Sequence, residues 1–162
     1  NNSRAKALQI HTIMTTYEKS NSITEVKLSR FSKKEYQSLL NASESTKERQ
    51  KAAQMLCDYL CSKFNMPKST IKVVNRSQPH RTGYSGRLQS KTLGTYTVQT
   101  QVITLYNLTA IKKHVVSIKV MAATLLHEFI HHYDMTFLKL SDSPHTTGFY
   151  KRISDLENKL NR

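Results

Sequence analysis

Only two cysteines occur among the 162 residues, Cys57 and Cys61. So small a supply excludes a disulfide framework, and their four-residue spacing places both on one face of a helix rather than in a CxxC metal site. They read as buried thiols of a protein from a reducing compartment, cytoplasmic or associated with a nucleoid or nucleus. No apolar run approaches the roughly 18–20 residues that a membrane span needs, and no basic amphipathic helix offers itself to a membrane surface. No signal peptide is visible, although the chain opens on Asn1 rather than Met, which leaves room for a segment upstream. Internal repeats, low-complexity tracts and interdomain linkers are lacking too. The expectation is one domain over 1–162, long enough to bury a core without staples.

Acidic residues are the other scarcity. The chain has 11 against 25 lysines and arginines, a net charge of +14, and between Asp58 and Glu128 there is no acid at all. That interval carries Lys63, Lys68, Lys72, Arg76, Arg81, Arg87, Lys91, Lys112, Lys113 and Lys119. A field of one sign attracts polyanions, of which nucleic acid is the usual one. The expected contact surface is Arg76, Arg81, Arg87 and Lys91, with Tyr84 placed to stack on an unpaired base of single-stranded or junction DNA. The plainer reading is a basic, solubilising surface without a dedicated partner.

What is present is concentrated in MAATLLHEFIHHYD, residues 121–134. On a helix His127 and His131 are i and i+4, so both imidazoles share a face. Two such nitrogens can hold one Zn²⁺ when a third protein ligand joins them. Glu128 follows the first histidine, where its carboxylate can take a proton from an attacking water and pass it to a leaving amine. This is the HExxH pattern of zinc metalloproteases. Val120, Ala122, Ala123, Leu125, Leu126, Phe129 and Ile130 make the helix apolar enough for the centre of a domain.

The rest of the chain sorts by period. Helices are expected over 3–19, where Ser3 caps and His11 is a surface or packing residue; from a Ser32–Glu35 capping box to about Leu40; and from a Ser45–Glu48 box to about Phe64, before Pro67. A strand at 71–74, a loop or hairpin tip at 75–86 and antiparallel strands near 91–98 and 101–107 follow. Gly94, inside the first of that pair, marks a bulge or a close backbone approach. The HEFIH helix is expected over 117–138 and a closing helix over 149–160. The expected fold is α+β: a small antiparallel sheet packed on the metal-binding helix, with a helical part over 1–66 and a core over 67–162.

For the third ligand His145 leads, 18 residues after His127 in a loop between Pro144 and Gly148. Glu157 and then Asp142 are the alternatives. His132 points about 100° away around the helix, as a supporting, substrate-facing or exposed side chain. Asp134 shares the ligands' face and can accept the other ring N–H of one of them. Asp134 and Phe137 stand where a metzincin would have glycine and histidine.

Residues 85–160 resemble the SprT-like family, which includes the Spartan proteases. The resemblance lies in Gly94-x-Tyr96, Ile103-x-Leu105, TLLHEFIHH and PHTTGFYKRI. The family's usual His-Gly-Pro-x-Phe is replaced by His145-Thr-Thr-Gly148-Phe149, and the cysteine module that follows the protease domain in many relatives is missing. The resemblance implies a zincin fold and a DNA-associated zinc endopeptidase acting on DNA-bound or DNA-crosslinked proteins. Substrate would then lie extended along a strand edge near 94–98, with Tyr96, Tyr150 and His132 as further contacts. Three rivals stand beside it: a peptidase that cleaves one regulator, resembling the ImmA/IrrE group; a non-catalytic basic module with structural zinc; and a secreted, toxin-like protease.

Overall fold

The computed structural model describes residues 13–162. Most of the helix expected over 3–19, including Ser3 and His11, lies outside the described residues. Inside them stands a shorter helix, α1 (Thr16–Ser22), closed by a reciprocal box between Thr15 and Glu18. Irregular chain leads to α2 (Lys34–Leu40). The Ser32–Glu35 box does not form there: Ser32 Oγ accepts from the Lys34 N–H at 3.2 Å, while a carboxylate oxygen of Glu35 is buried without a partner. At α3 (Thr46–Lys63) Ser45 does cap, accepting from the Glu48 N–H, but Glu48 reaches past it to the Ser43 N–H.

Five strands follow: β1 (Thr70–Ser77), β2 (His80–Thr82), β3 (Leu88–Lys91), β4 (Gly94–Thr97) and β5 (Val102–Leu108). The sheet expected to be antiparallel is mixed. Its order is β1-β5-β4, with β1 parallel to β5 and only β4 antiparallel to it. A parallel pair is joined by a crossover rather than a tight turn, so it leaves no local signal. The stretch expected as one strand over 91–98 is split at Thr92–Leu93, because β3 turns away to pair with β2 in a hairpin of its own.

Behind the sheet lie α4 (Ile118–Thr136), capped by Ser117, and α5 (Thr147–Asn161), capped by Thr146. Helix α4 is the centre of the molecule. Met121, Ala122, Leu125, Leu126, Phe129, Ile130 and Tyr133 are buried against Leu56, Leu60, Ile71, Ile103, Leu105, Leu156 and Leu160. The ring of Phe64 is packed by Phe31, Phe129, Tyr133 and Phe137. The described portion of the helical part expected over 1–66 is therefore continuous with the core: α3 supplies one wall of it. Helix α5 closes another wall through Phe149, Leu156 and Leu160.

The two edges of the sheet are treated differently. Gln50 and Gln54, one turn apart on α3, clasp β1. The Gln54 amide accepts from the Ile71 N–H and donates to Ser69 O; the Gln50 amide accepts from the Val73 N–H and donates to Ile71 O, at 2.6 to 3.0 Å. Two side-chain amides thus stand in for a neighbouring strand and satisfy the edge. Among the described residues no other strand covers the β4 edge. Strand β4 lies close over α4: a Cβ on Gly94 would come within 2.7 Å of Thr124 Cγ2 and 2.9 Å of Thr104 O. The expectation of a close approach at Gly94 holds, and the neighbour is α4, the helix of the HEFIH motif.

Among the described residues no helix is long and apolar enough to cross a membrane. Cys57 and Cys61 are free thiols with no solvent exposure, on the core face of α3. A chromogenic disulfide reagent should titrate neither thiol in the folded protein and both in denaturant. Rapid native reaction would contradict the α3 packing.

Candidate metal centre

Helix α4 divides into two faces. One is the buried stripe of the core; the other carries Val120, Ala123, His127 and His131, three or four residues apart, along its less buried side. His145 reaches that stripe from the loop between α4 and α5. The loop is set by local chemistry: Lys139 adopts a left-handed φ of 54°, Leu140 N–H donates to Asp134 O, and Thr146 N–H donates to Pro144 O. His145 Nε2 ends 3.2 Å from His127 Nε2 and 3.0 Å from His131 Nε2. The ligand atoms of all three lie within 4.8 Å of one another, close enough to hold a metal ion. Phe149 is fully buried beneath them, its ring centroid 4.6 to 5.1 Å from each imidazole.

The electrostatics suit a cation. Burial, followed by the neighbouring rings, pushes His127 down to about 4 and His131 down to about 3, so both are neutral near pH 7 with a lone pair to offer. Burial pushes Glu128 up to about 7. A cation held by the histidines would pull that carboxyl back down.

Hydrogen bonds orient the rings. Ser143 Oγ donates to Asp134 Oδ2 at 2.8 Å, so the 2.7 Å contact with His131 Nδ1 has the ring donating to the hydroxyl. That tautomer leaves Nε2 unprotonated, facing the other two rings. The expectation that Asp134 accepts the ring N–H itself is corrected: Ser143 accepts it, and Asp134 holds Ser143. Asp134 is in turn gripped by Arg152, whose Nε and Nη2 donate to Oδ1 and Oδ2 at 3.0 and 2.8 Å with both side chains fully buried. The other guanidinium donors go to Ser20 O, Ser20 Oγ and Ile23 O at the end of α1. Around the loop, Thr16 bonds Ser141, Ser20 bonds Thr146, and Asn21 Oδ1 accepts from the Gly148 N–H. A Cβ on Gly148 would meet Ser20 O and come within 2.6 Å of Asn21 O, so this glycine is required by the approach of α1.

His132 is neither exposed nor substrate-facing. It is fully buried; Nε2 donates to Pro67 O and Nδ1 accepts from the Tyr96 hydroxyl, both at 2.7 Å. The Tyr96 proton is thereby committed to His132, which removes it as an oxyanion donor and makes it a tether between β4 and α4. Tyr150 stands half exposed beside His145 and His127, with ring centroids 5.8 and 6.2 Å away. Asp142 lines the cleft near the histidines without joining their cluster, and Glu157 lies on α5 beside Tyr36. The described residues favour His145 over both alternatives.

Of the expected polyanion contacts, Arg81, Tyr84, Arg87 and Lys91 come together on the β2–β3 hairpin and are all exposed, Tyr84 fully so. Arg76 is exposed on β1. Sequence reading missed Ser143, Arg152, Gln50 and Gln54. Arg152 did leave a signal: it sits between Phe149 and Leu156 on the apolar stripe of α5, where a charge needs a buried partner.

Compared with protein-family models, with curated proteins and with solved structures, the chain finds no match.

Ser143→Ala should weaken the binding of a divalent metal ion at the three histidines roughly 10–100-fold, the usual cost of losing a hydrogen bond that orients a ligand, with little change in the thermal midpoint. Competition titration against a chelator measures it. Unchanged affinity would detach Ser143 from the metal centre.

Proposed function

We propose that this chain is a zinc-dependent endopeptidase, resembling the SprT-like proteases, that acts on proteins associated with DNA. The observation that carries the reading is the convergence of His127, His131 and His145 beside the buried carboxyl of Glu128. Zn–N bonds of about 2.0–2.1 Å set tetrahedral ligand nitrogens roughly 3.3–3.4 Å apart. Separations of 3.0 and 3.2 Å between the Nε2 atoms fit such a site. Zinc held there supplies Lewis-acid polarisation of a carbonyl and a water acidic enough to attack near neutral pH.

The chain's own residues do the rest. Ser143 and Asp134 hold the His131 tautomer. Glu128 takes the proton of the attacking water and returns it to the leaving amine. The open β4 edge offers backbone groups to an extended substrate, a mode of binding that tolerates many sequences. Because Gln50 and Gln54 close the opposite edge, an added strand has β4 as its place in this sheet, directly beside the histidines.

The DNA part rests on the hairpin. Arg81, Arg87 and Lys91 with Tyr84 at its turn form a basic arm carrying an aromatic face. Lys91 also lines the cleft that holds His127, Glu128 and His145. A nucleic acid on the arm would place its bound proteins next to the metal centre.

Glu128→Gln should retain zinc and lose at least about a hundredfold in cleavage of a basic DNA-binding protein, measured with and without single-stranded DNA. Cleavage that needs Glu128 but ignores DNA would shift the reading to a regulator-cleaving peptidase. Zinc binding with no cleavage of any protein would favour a non-catalytic module. On the arm, Arg81→Ala, Arg87→Ala and Lys91→Ala should each flatten the slope of log K against log salt for single-stranded DNA by roughly 0.7. Affinity indifferent to salt would remove the DNA partner.

A further inference from the structure

A cavity of about 560 Å³ opens beside the histidines toward the N-terminal half of α4. Its lining includes Leu93, Gly94, Val120, Ala123 and Thr124, and it shares His127 and Glu128 with the metal centre. Its size falls in the range of roughly 300–1,000 Å³ that encloses organic groups rather than a lone ion. Val120 and Ala123 are exposed apolar residues on a helix whose other apolar side chains are buried, apart from the partly buried Ile118 and Met135 near its ends. Core packing does not account for them. Both lie on the same stripe as His127, one and two turns before it.

A second cavity, of about 340 Å³, lies on the other side of the histidines and is more polar, lined by Thr95, Asp142 and Ser143 among others. Gly94, His127, Glu128 and His145 belong to both. The cleft along β4 is therefore more apolar on the side of Leu93, Val120 and Ala123, where Lys91 and Thr92 also belong to the lining, than on the side of Thr95, Asp142 and Ser143.

We propose that the larger cavity is a side-chain pocket, selecting a bulky apolar residue (Leu, Ile, Met or Phe) at one of the two positions flanking the scissile bond. The inference rests on the peptidase reading and gives it a substrate class. An extended peptide alternates its side chains across the strand. A segment paired with the β4 edge, with its carbonyl at the histidines, turns one flanking side chain toward Val120 and Ala123. Backbone pairing leaves the rest of the substrate unselected. Selection then comes from one apolar residue, and each methylene that fails to fill such a pocket lowers kcat/KM by roughly 10–200-fold.

The test digests a mixed peptide library with zinc-loaded protein and maps the cleaved bonds by mass spectrometry, for the wild type, Ala123→Phe and Val120→Glu. Position 123 is exposed, so a ring there fills the cavity without entering the core, and thermal unfolding checks that each variant is folded. The wild type should favour bulky apolar residues at one flanking position, with glycine there at least about tenfold worse. Ala123→Phe should shift the preference to Ala, Ser and Gly, and Val120→Glu should admit Lys and Arg. Cleavage without preference at either flanking position, or an identical profile in both variants, overturns the pocket and leaves the peptidase standing. In parallel, calorimetry compares a dipeptide hydroxamate ending in leucine with one ending in glycine. At least about tenfold tighter binding of the leucine form, lost in Ala123→Phe, supports the pocket even if no peptide is cut, in which case the peptidase reading alone falls. Equal affinities overturn the pocket whatever the cleavage result.

Discussion

The Asp134–Arg152 pair is the interaction on which the site depends. Two fully buried charges pay a large desolvation cost, which is offset only when geometry and hydrogen bonding are complete. Here they are. All five guanidinium donors are used, two on Asp134 and three at the end of α1. Both carboxylate oxygens of Asp134 accept from Arg152, and Oδ2 accepts from Ser143 as well. The pair joins α4 to α5, both to α1, and through Ser143 it sets the ring of His131. Loss of one partner would strand a buried charge, so the loop with His145, the floor at Phe149 and the ligand orientation stand or fall together.

A second constraint governs access. A three-stranded sheet has two edges, and an uncovered edge pairs with whatever chain approaches it. The glutamine clasp from α3 satisfies β1, and β4 is left open where it runs over the histidines. Its height is set twice, by the missing Cβ of Gly94 against Thr124 and by the Tyr96–His132–Pro67 bonds. His132 therefore belongs to the architecture of the cleft, although it is the immediate neighbour of a ligand in sequence. The N-terminal helices, which carry no metal-site motif, supply the clasp on one edge and the brace behind the ligand loop.

Two of the three histidines that cluster in the candidate site were legible because their signal is local. The i, i+4 spacing of His127 and His131 follows from helix geometry alone, and the Ser45 cap likewise acts at short range; Gly94 showed only that some backbone or side chain comes close, and the fold supplied Thr124 and Thr104. His145 could be nominated because a short loop constrains where the chain returns, but Glu157 and Asp142 could not be set aside until the ring atoms were seen to converge. The basic hairpin was visible as a run of charge without acids; that Arg81, Tyr84, Arg87 and Lys91 share one arm needed the β2–β3 pairing.

By itself the sequence determined the helices with strong periods and caps, the α+β class, the pair of histidines with their glutamate, and the excess of positive charge. Tertiary structure alone decided the parallel β1–β5 pairing, the closure of one sheet edge by Gln50 and Gln54, the relay from Arg152 to His131, and the burial of His132. The reason is the range of the forces. Spacing along a helix and the chemistry of a cap are fixed within a few residues. Partners for a buried charge, a free strand edge or a ring nitrogen are chosen among groups 9 to 132 residues apart, and only the packed core brings them together.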